Sequence, residues 1–91
     1  MKKLWSVRVE VETDMVVAAE TREEAWEVAH KWWPQESKNR YVVKDATIFH
    51  VSPTPIERIE DSPWEPGALP YGLEDDITIG AFLARQKAGA K

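Results

Sequence analysis

The chain has 91 residues, of which 43% are hydrophobic and 31% are charged, and it contains no cysteine. This size and composition predict one small soluble globular domain. Without cysteine there can be no disulfide, thiolate zinc site or cysteine nucleophile. No apolar run approaches the ~20 residues of a membrane-spanning helix, and the N-terminal segment alternates polar and apolar residues, unlike a signal peptide. We therefore expect a cytoplasmic protein with no membrane partner.

Negative charge is concentrated in one segment. Residues 57–76 hold seven acidic side chains and one basic side chain, Arg58, so this segment carries −6 in a chain whose net charge is −4. Nucleic-acid binding depends on lysine and arginine side chains that displace counterions from phosphates. The basic residues here are scattered and offset by acids, so nucleic acid is not the favoured partner.

Two strands are predicted at the start of the chain. Residues 4–12 alternate strictly between apolar and polar side chains, which is the period of a half-buried strand. A polar hairpin turn is expected at Thr13–Asp14, followed by a second strand over residues 15–20. The polar face of the first strand is expected to need no cover. The inward side chains are predicted to be Trp5, Val7, Val9, Val11, Met15, Val17 and Ala19, and the outward ones Ser6, Arg8, Glu10 and Glu12.

Residues 21–33 predict an amphipathic helix. The hydroxyl of Thr21 can cap its first turn, and Glu24 is placed to complete a capping box. The helix is expected to end near Trp33, because a residue that precedes a proline is pushed away from helical angles. The predicted buried face consists of Ala25, Val28, Ala29 and Trp32, with Trp26 and Trp33 along one flank.

Residues 41–52 predict a third strand region, which Lys44–Asp45 interrupts with a bulge or a break. The order strand, strand, helix, strand predicts an α+β core domain over residues 1–52. If the third strand lies beside the first, the three-stranded sheet is antiparallel with order 2-1-3, and the helix packs on one face.

Composition changes at Pro53. Five of the six prolines lie between residues 53 and 70, which excludes a regular ladder there. We call residues 53–76 the arm, and expect it to be an extended segment that either packs back on the domain or waits for a partner. Residues 77–91 predict a short helix, capped by Thr78 and weakened by Gly80, with a basic tail. The apolar residues of the arm are Ile56, Ile59, Trp64, Leu69 and Tyr71.

Catalytic and metal-binding motifs are missing from the sequence. His30 and His50 are the only histidines and share no ligand or catalytic spacing. The acidic run 74–76 lacks the residue order of a calcium loop, and we expect it to be a solvated turn before a helix. There is no glycine-rich phosphate loop and no nucleophile elbow. We therefore expect neither an enzyme nor a cofactor or metal site.

Five tryptophans are the other notable feature of the composition. Trp5, Trp26 and Trp32 are predicted to be core residues. Aromatic side chains on extended segments are common anchors at interfaces, so packing on the domain and partner binding stay open for Trp64 and Tyr71. The candidate partner-binding residues are the aromatics Trp33, Trp64 and Tyr71 and the acids Glu60, Asp61, Glu65, Glu74, Asp75 and Asp76.

The first 52 residues resemble the DpnD/PcfM-like small proteins of phages and conjugative plasmids. The shared features are a lysine-led strand, a second strand that ends in alanine, a helix start of the form Thr-x-Glu-Glu-Ala, and a third strand. They lie at Lys2–Val11, Val17–Ala19, Thr21–Ala25 and Tyr41–Val51. This resemblance implies an accessory protein of a mobile element, which would act in the host cytoplasm. Such proteins include anti-CRISPR and anti-restriction inhibitors of host defence.

Two hypotheses of function follow. In the first, the protein binds and inhibits a host protein or defence complex. Either the acidic arm mimics nucleic acid, with Trp64 and Tyr71 as apolar anchors, or a sheet edge or the helix pairs with a partner or with a second copy in a homodimer. The alternative is a small nucleic-acid-binding α+β module that uses Lys38, Arg40, Lys44 and the basic tail.

Overall fold

A computed structural model describes residues 1–10, 13–39 and 49–89 of the chain. The fold is α+β, and the predicted three-stranded antiparallel sheet with order 2-1-3 is confirmed. The first helix packs on one face of this sheet. Residues 41–48 of the predicted third strand region, including Lys44–Asp45, lie outside the described residues. The elements are β1 Lys3–Val9, β2 Thr13–Ala19, α1 Arg22–Asn39, β3 Phe49–Val51, a short 3₁₀ helix Ile59–Asp61, and α2 Ile79–Gly89.

Thr13 and Asp14 belong to the second strand. Thr13 pairs with Val9 of β1, so the prediction of a turn at Thr13–Asp14 is wrong. Glu10, directly after β1, has a φ of 50°, which is a left-handed conformation that non-glycine residues adopt mainly in turns. Asp14 instead lies in β2 opposite Arg8. Its carboxylate accepts a hydrogen bond of 3.2 Å from the guanidinium across the hairpin.

Helix α1 begins as predicted but continues beyond its predicted end. The backbone N–H of Glu24 donates to the hydroxyl of Thr21 at 3.1 Å, which confirms the cap. The helix then runs through Pro34 to Asn39, although a proline inside a helix costs about 3 kcal/mol. Hydrogen bonds hold the next turn: Glu36 and Ser37 are each only 6% exposed, and their side chains bond to the Tyr71 hydroxyl and to the carbonyl of Pro34.

The buried stripe of α1 differs from the predicted one. It consists of Ala25, Ala29 and Trp33, spaced four residues apart, and Trp33 is 6% exposed. The small alanines let the helix approach the sheet closely, while the tryptophans beside them are displaced outward. Trp26 and Trp32 are 43% and 36% exposed, so their assignment to the core is wrong.

The first core lies between α1 and the sheet. The predicted inward face of the hairpin is confirmed for its described members, and Trp5 belongs to this core as predicted. The buried residues of the sheet in this core are Trp5, Val7, Val9, Met15, Val17, Ala19, Phe49 and Val51.

A second core covers part of the opposite face of the sheet. Leu4 pairs with Ala18 across the hairpin, and both are fully buried together with Val16. The arm and α2 cover these residues with Ile56, Ile79 and Leu83. The expectation that this face needs no cover is therefore wrong at its apolar end. At the other end of the strand, Arg8 stays exposed.

Candidate protein-binding surface

The arm is fixed to the sheet at two points by backbone hydrogen bonds. The N–H of Ile56 donates to the carbonyl of Leu4 at 2.7 Å. At its far end, Tyr71 forms a parallel bridge with β2, in which its N–H donates to Val16 and its carbonyl accepts from Ala18, at 3.0 and 2.7 Å. Leu4 lies on β1, whereas Val16 and Ala18 lie on the edge strand β2. The arm therefore packs back on the domain, which is one of its two predicted states.

Trp64 faces the domain. Its indole Nε1 donates a hydrogen bond of 3.0 Å to the carbonyl of Asp14. Its ring packs against both cores. The hydroxyl of Ser62 shapes the chain locally, since it accepts from the N–H of Trp64 at 3.1 Å and donates to its carbonyl at 2.9 Å. Trp64 thus serves as an intramolecular anchor of the arm.

Tyr71 ties the arm to the continuation of α1 past Pro34. Its hydroxyl donates a hydrogen bond of 2.8 Å to the carboxylate of Glu36, which is 6% exposed. Its ring stacks on Trp32 at 5.5 Å with an interplanar angle of 20°. The ammonium of Lys31 lies 5.6 Å from the same tryptophan ring. These contacts explain why α1 extends past its proline: the added turns supply the polar partner of Tyr71.

The acidic residues of the arm face outward. Among the described residues of the arm, Arg58 is the one basic side chain, and it forms an exposed ion pair of 3.5 Å with Asp61. The outward orientation follows from the inward packing of the apolar residues, because charged groups stay hydrated unless they are paired. The exposed carboxylates predicted as partner-binding are those of Glu60, Asp61, Glu65, Glu74, Asp75 and Asp76.

The predicted partner-binding residues therefore divide into three groups. The six acids are exposed, while Trp64 and Tyr71 are half-buried by contacts within the chain. Trp33 lies in the first core with 6% exposure, so its side chain presents little surface to a partner. Of the predicted alternative nucleic-acid site, Lys38 is exposed, and Arg40 and Lys44 lie outside the described residues.

Ion pairs outside the arm involve other acids. The amino group of Met1 donates a hydrogen bond of 2.8 Å to Oε1 of Glu20. This hydrogen bond, together with the positive charge of the amino group, lowers the pKa of Glu20 below its ordinary value. The pair is exposed. The negative charge of the arm is thus not compensated by these contacts, which lie at the hairpin.

The sequence-based prediction missed one concave feature. A groove of about 360 Å³ lies between the first turns of α1 and strand β3, with Glu23, Trp26 and Glu27 on the helix side and Phe49 and Val51 on the strand side. The signal in the sequence is that two acidic residues, Glu23 and Glu27, flank Trp26. Because Trp26 was predicted to be a core residue, no surface groove was expected beside it.

Two kinds of feature are not found in the described part of the chain. Residues 1–10, 13–39 and 49–89 contain no cluster of three or more histidine, aspartate or glutamate side chains that could hold a metal ion. Within the same ranges, every helix is too short or too polar to cross a membrane. Comparison with known proteins gives no match: no family model matches the chain, and no curated protein or solved structure is similar to it.

Proposed function

We propose that this chain is a non-enzymatic protein that binds and inhibits a host protein or defence complex. The acidic arm would occupy a basic, nucleic-acid-binding surface of that partner. One observation carries the proposal: the six acids predicted to bind a partner are exposed, and they lie on a segment that is hydrogen-bonded to the sheet near both of its ends. A segment that is already ordered loses less conformational entropy on binding than a free tail does.

The proposed mechanism is electrostatic. A basic groove that binds nucleic acid attracts phosphates through its lysine and arginine side chains. Exposed carboxylates of the arm, whose segment carries −6, would satisfy the same side chains and exclude the nucleic acid. Complementary charge also accelerates encounter and makes it sensitive to salt. In this mechanism Trp64 and Tyr71 hold the arm in place and do not insert into the partner.

Pairing through the edge of β2 has less support. Tyr71 already occupies the edge of β2 at Val16 and Ala18. A homodimer or a partner strand would have to displace the arm to pair there. The origin in a mobile element rests on the resemblance of residues 1–52 and remains a prediction.

The test compares a neutralised arm with a charge-conserving control. The neutral variant is Glu60→Gln/Asp61→Asn/Glu65→Gln, and the control is Glu60→Asp/Asp61→Glu/Glu65→Asp. Each is immobilised and exposed to nuclease-treated lysate of a bacterial host, with and without competing duplex DNA. The proposal expects wild type and control to retain one nucleic-acid-binding protein, which salt and duplex DNA release. It expects the neutral variant to lose that protein.

Two results would count against the proposal. Equal capture by the neutral variant would remove the arm from the interface. Direct binding of labelled single-stranded or duplex DNA to the purified protein, measured by fluorescence anisotropy and weakened by Lys38→Glu, would instead support the nucleic-acid-binding alternative.

A further inference from the structure

The groove beside β3 has an apolar floor and one exposed aromatic wall. Phe49 and Val51 are each 7% exposed and form the floor. Trp26 forms the wall, 43% exposed, with its ring edge-on to Phe49 at a centroid distance of 6.5 Å. An indole face at the border of a groove of about 360 Å³ offers a surface on which a cationic side chain can lie.

Two carboxylates flank this aromatic wall. Glu23 lies one helical turn before Trp26, and Glu27 follows it directly, so all three side chains border the same groove. Both carboxylates are exposed, and in the described part of the chain neither forms an ion pair. Arg22 and His50 also line the groove, and the guanidinium of Arg22 donates to a backbone carbonyl of β3. The two carboxylates outnumber this one guanidinium, so the groove favours a cation over an anion.

The backbone of β3 faces the groove with hydrogen-bonding groups. The N–H of Ser52 donates to the carbonyl of Ser6 at 2.8 Å. Because alternate residues of an antiparallel strand bond to the same neighbour, Phe49 and Val51 direct their N–H and C=O groups away from β1. Arg22 confirms this direction, since Nε and Nη2 of its guanidinium donate to the carbonyl of Val51 at 3.3 and 2.9 Å.

We propose that this groove binds an extended basic peptide segment of a partner protein. The peptide backbone pairs with Phe49 at the edge of β3, as in strand addition. One arginine or lysine side chain of the peptide lies on Trp26 between Glu23 and Glu27. This site is separate from the arm and does not depend on the function proposed for the arm.

The test uses a blocked five-residue peptide with a central arginine flanked by valine and threonine, titrated into the full chain. The control peptide carries citrulline, a neutral analogue of arginine, at the same position. Binding is followed by ¹H–¹⁵N NMR. We expect saturable shifts of the Trp26 indole and the Phe49 amide, and affinity about tenfold weaker for the citrulline peptide.

Matched protein variants separate this site from the arm. Glu23→Gln/Glu27→Gln is expected to weaken binding of the arginine peptide by about tenfold. Glu60→Gln/Asp61→Asn, which removes the same charge from the arm, is expected to leave it unchanged. Equal affinity for both peptides, or no saturable shift at millimolar concentration, would overturn the proposal. Concentration-dependent shifts of Trp26 without peptide would identify a second copy of the chain as the occupant and would overturn it as well.

Discussion

Gly72 joins the end of the arm to the edge of β2 in a conformation that favours glycine. Its φ is +94°, and a Cβ atom at this position would lie 2.7 Å from the carbonyl oxygen of Ala18 and 3.0 Å from a methyl group of Val28. Replacement with alanine adds about 1–3 kcal/mol of backbone strain and about 1–3 kcal/mol of overpacking. We expect Gly72→Ala to lower the free energy of unfolding by about 2–6 kcal/mol.

The matched control for this variant is Gly67→Ala. No heavy atom lies within 4 Å of the Cβ that this change would add, and the φ of Gly67 is not positive. Gly67→Ala is therefore expected to be neutral or to stabilise by about 0.4–1 kcal/mol, since it restricts the unfolded chain. Urea unfolding, followed by circular dichroism and by tryptophan fluorescence, measures both variants. Stabilities of the two within about 0.5 kcal/mol of each other would refute the reasoning.

The same variant reports how strongly the arm is coupled to the sheet. If the arm detaches before the sheet unfolds, the tryptophan fluorescence, to which Trp64 contributes, begins to change at lower urea than the circular dichroism signal. Trypsin would then cleave after Arg58 faster than in wild type, because local opening exposes the backbone. If the arm and sheet unfold together, both probes give one transition.

Three further predictions concern the packing of α1 and the arm. Tyr71→Phe keeps the ring but loses the hydrogen bond of 2.8 Å to buried Glu36, and is expected to lower the free energy of unfolding in urea by about 1.5–3 kcal/mol; no change would show that this bond adds no stability. Trp33→Ala is expected to cost about 3–5 kcal/mol and Trp26→Ala about 1 kcal/mol or less, and the reverse order of melting temperatures would contradict the burial described. Pro34→Ala restores a helical N–H donor and is expected to raise stability by about 2 kcal/mol, whereas a loss would mean that the proline ring contributes packing.

The sheet could be predicted because its determinants are local. Strict alternation in residues 4–12 fixed which side chains of β1 face α1, and the hydroxyls of Thr21 and Thr78 cap their helices as their positions predict. The end of α1 could not be predicted from local rules. Continuation past Pro34 depends on burial of Glu36 and Ser37, and the arm supplies part of that burial from much later in the chain.

The orientation of the arm could not be predicted for a similar reason. Its charges are visible in the sequence, but the direction of its aromatic residues depends on partners distant in sequence. Trp64 bonds to a carbonyl 50 residues earlier, and Tyr71 to a carboxylate 35 residues earlier. Both contacts turn inward the two aromatic side chains that were predicted as candidate anchors for a partner. The tryptophans of α1 differ from the prediction in the other sense. Trp33, predicted on the flank, packs against the sheet, whereas Trp26, predicted in the core, lies at the border of a groove.

The two proposed surfaces would bind a partner through different interactions. The salt dependence of the partner's affinity distinguishes binding at the arm from binding in the groove. Binding through the arm would pair several carboxylates of a segment with charge −6, all exposed to screening ions. Binding in the groove pairs one cation with two carboxylates, beside an apolar floor and backbone hydrogen bonds that salt affects little. A partner held by the arm should therefore lose affinity steeply as salt rises. The association rate constant should change more than the dissociation rate constant. A partner held by the groove should lose less affinity, since only one cation is paired there, and its affinity should also depend on Trp26.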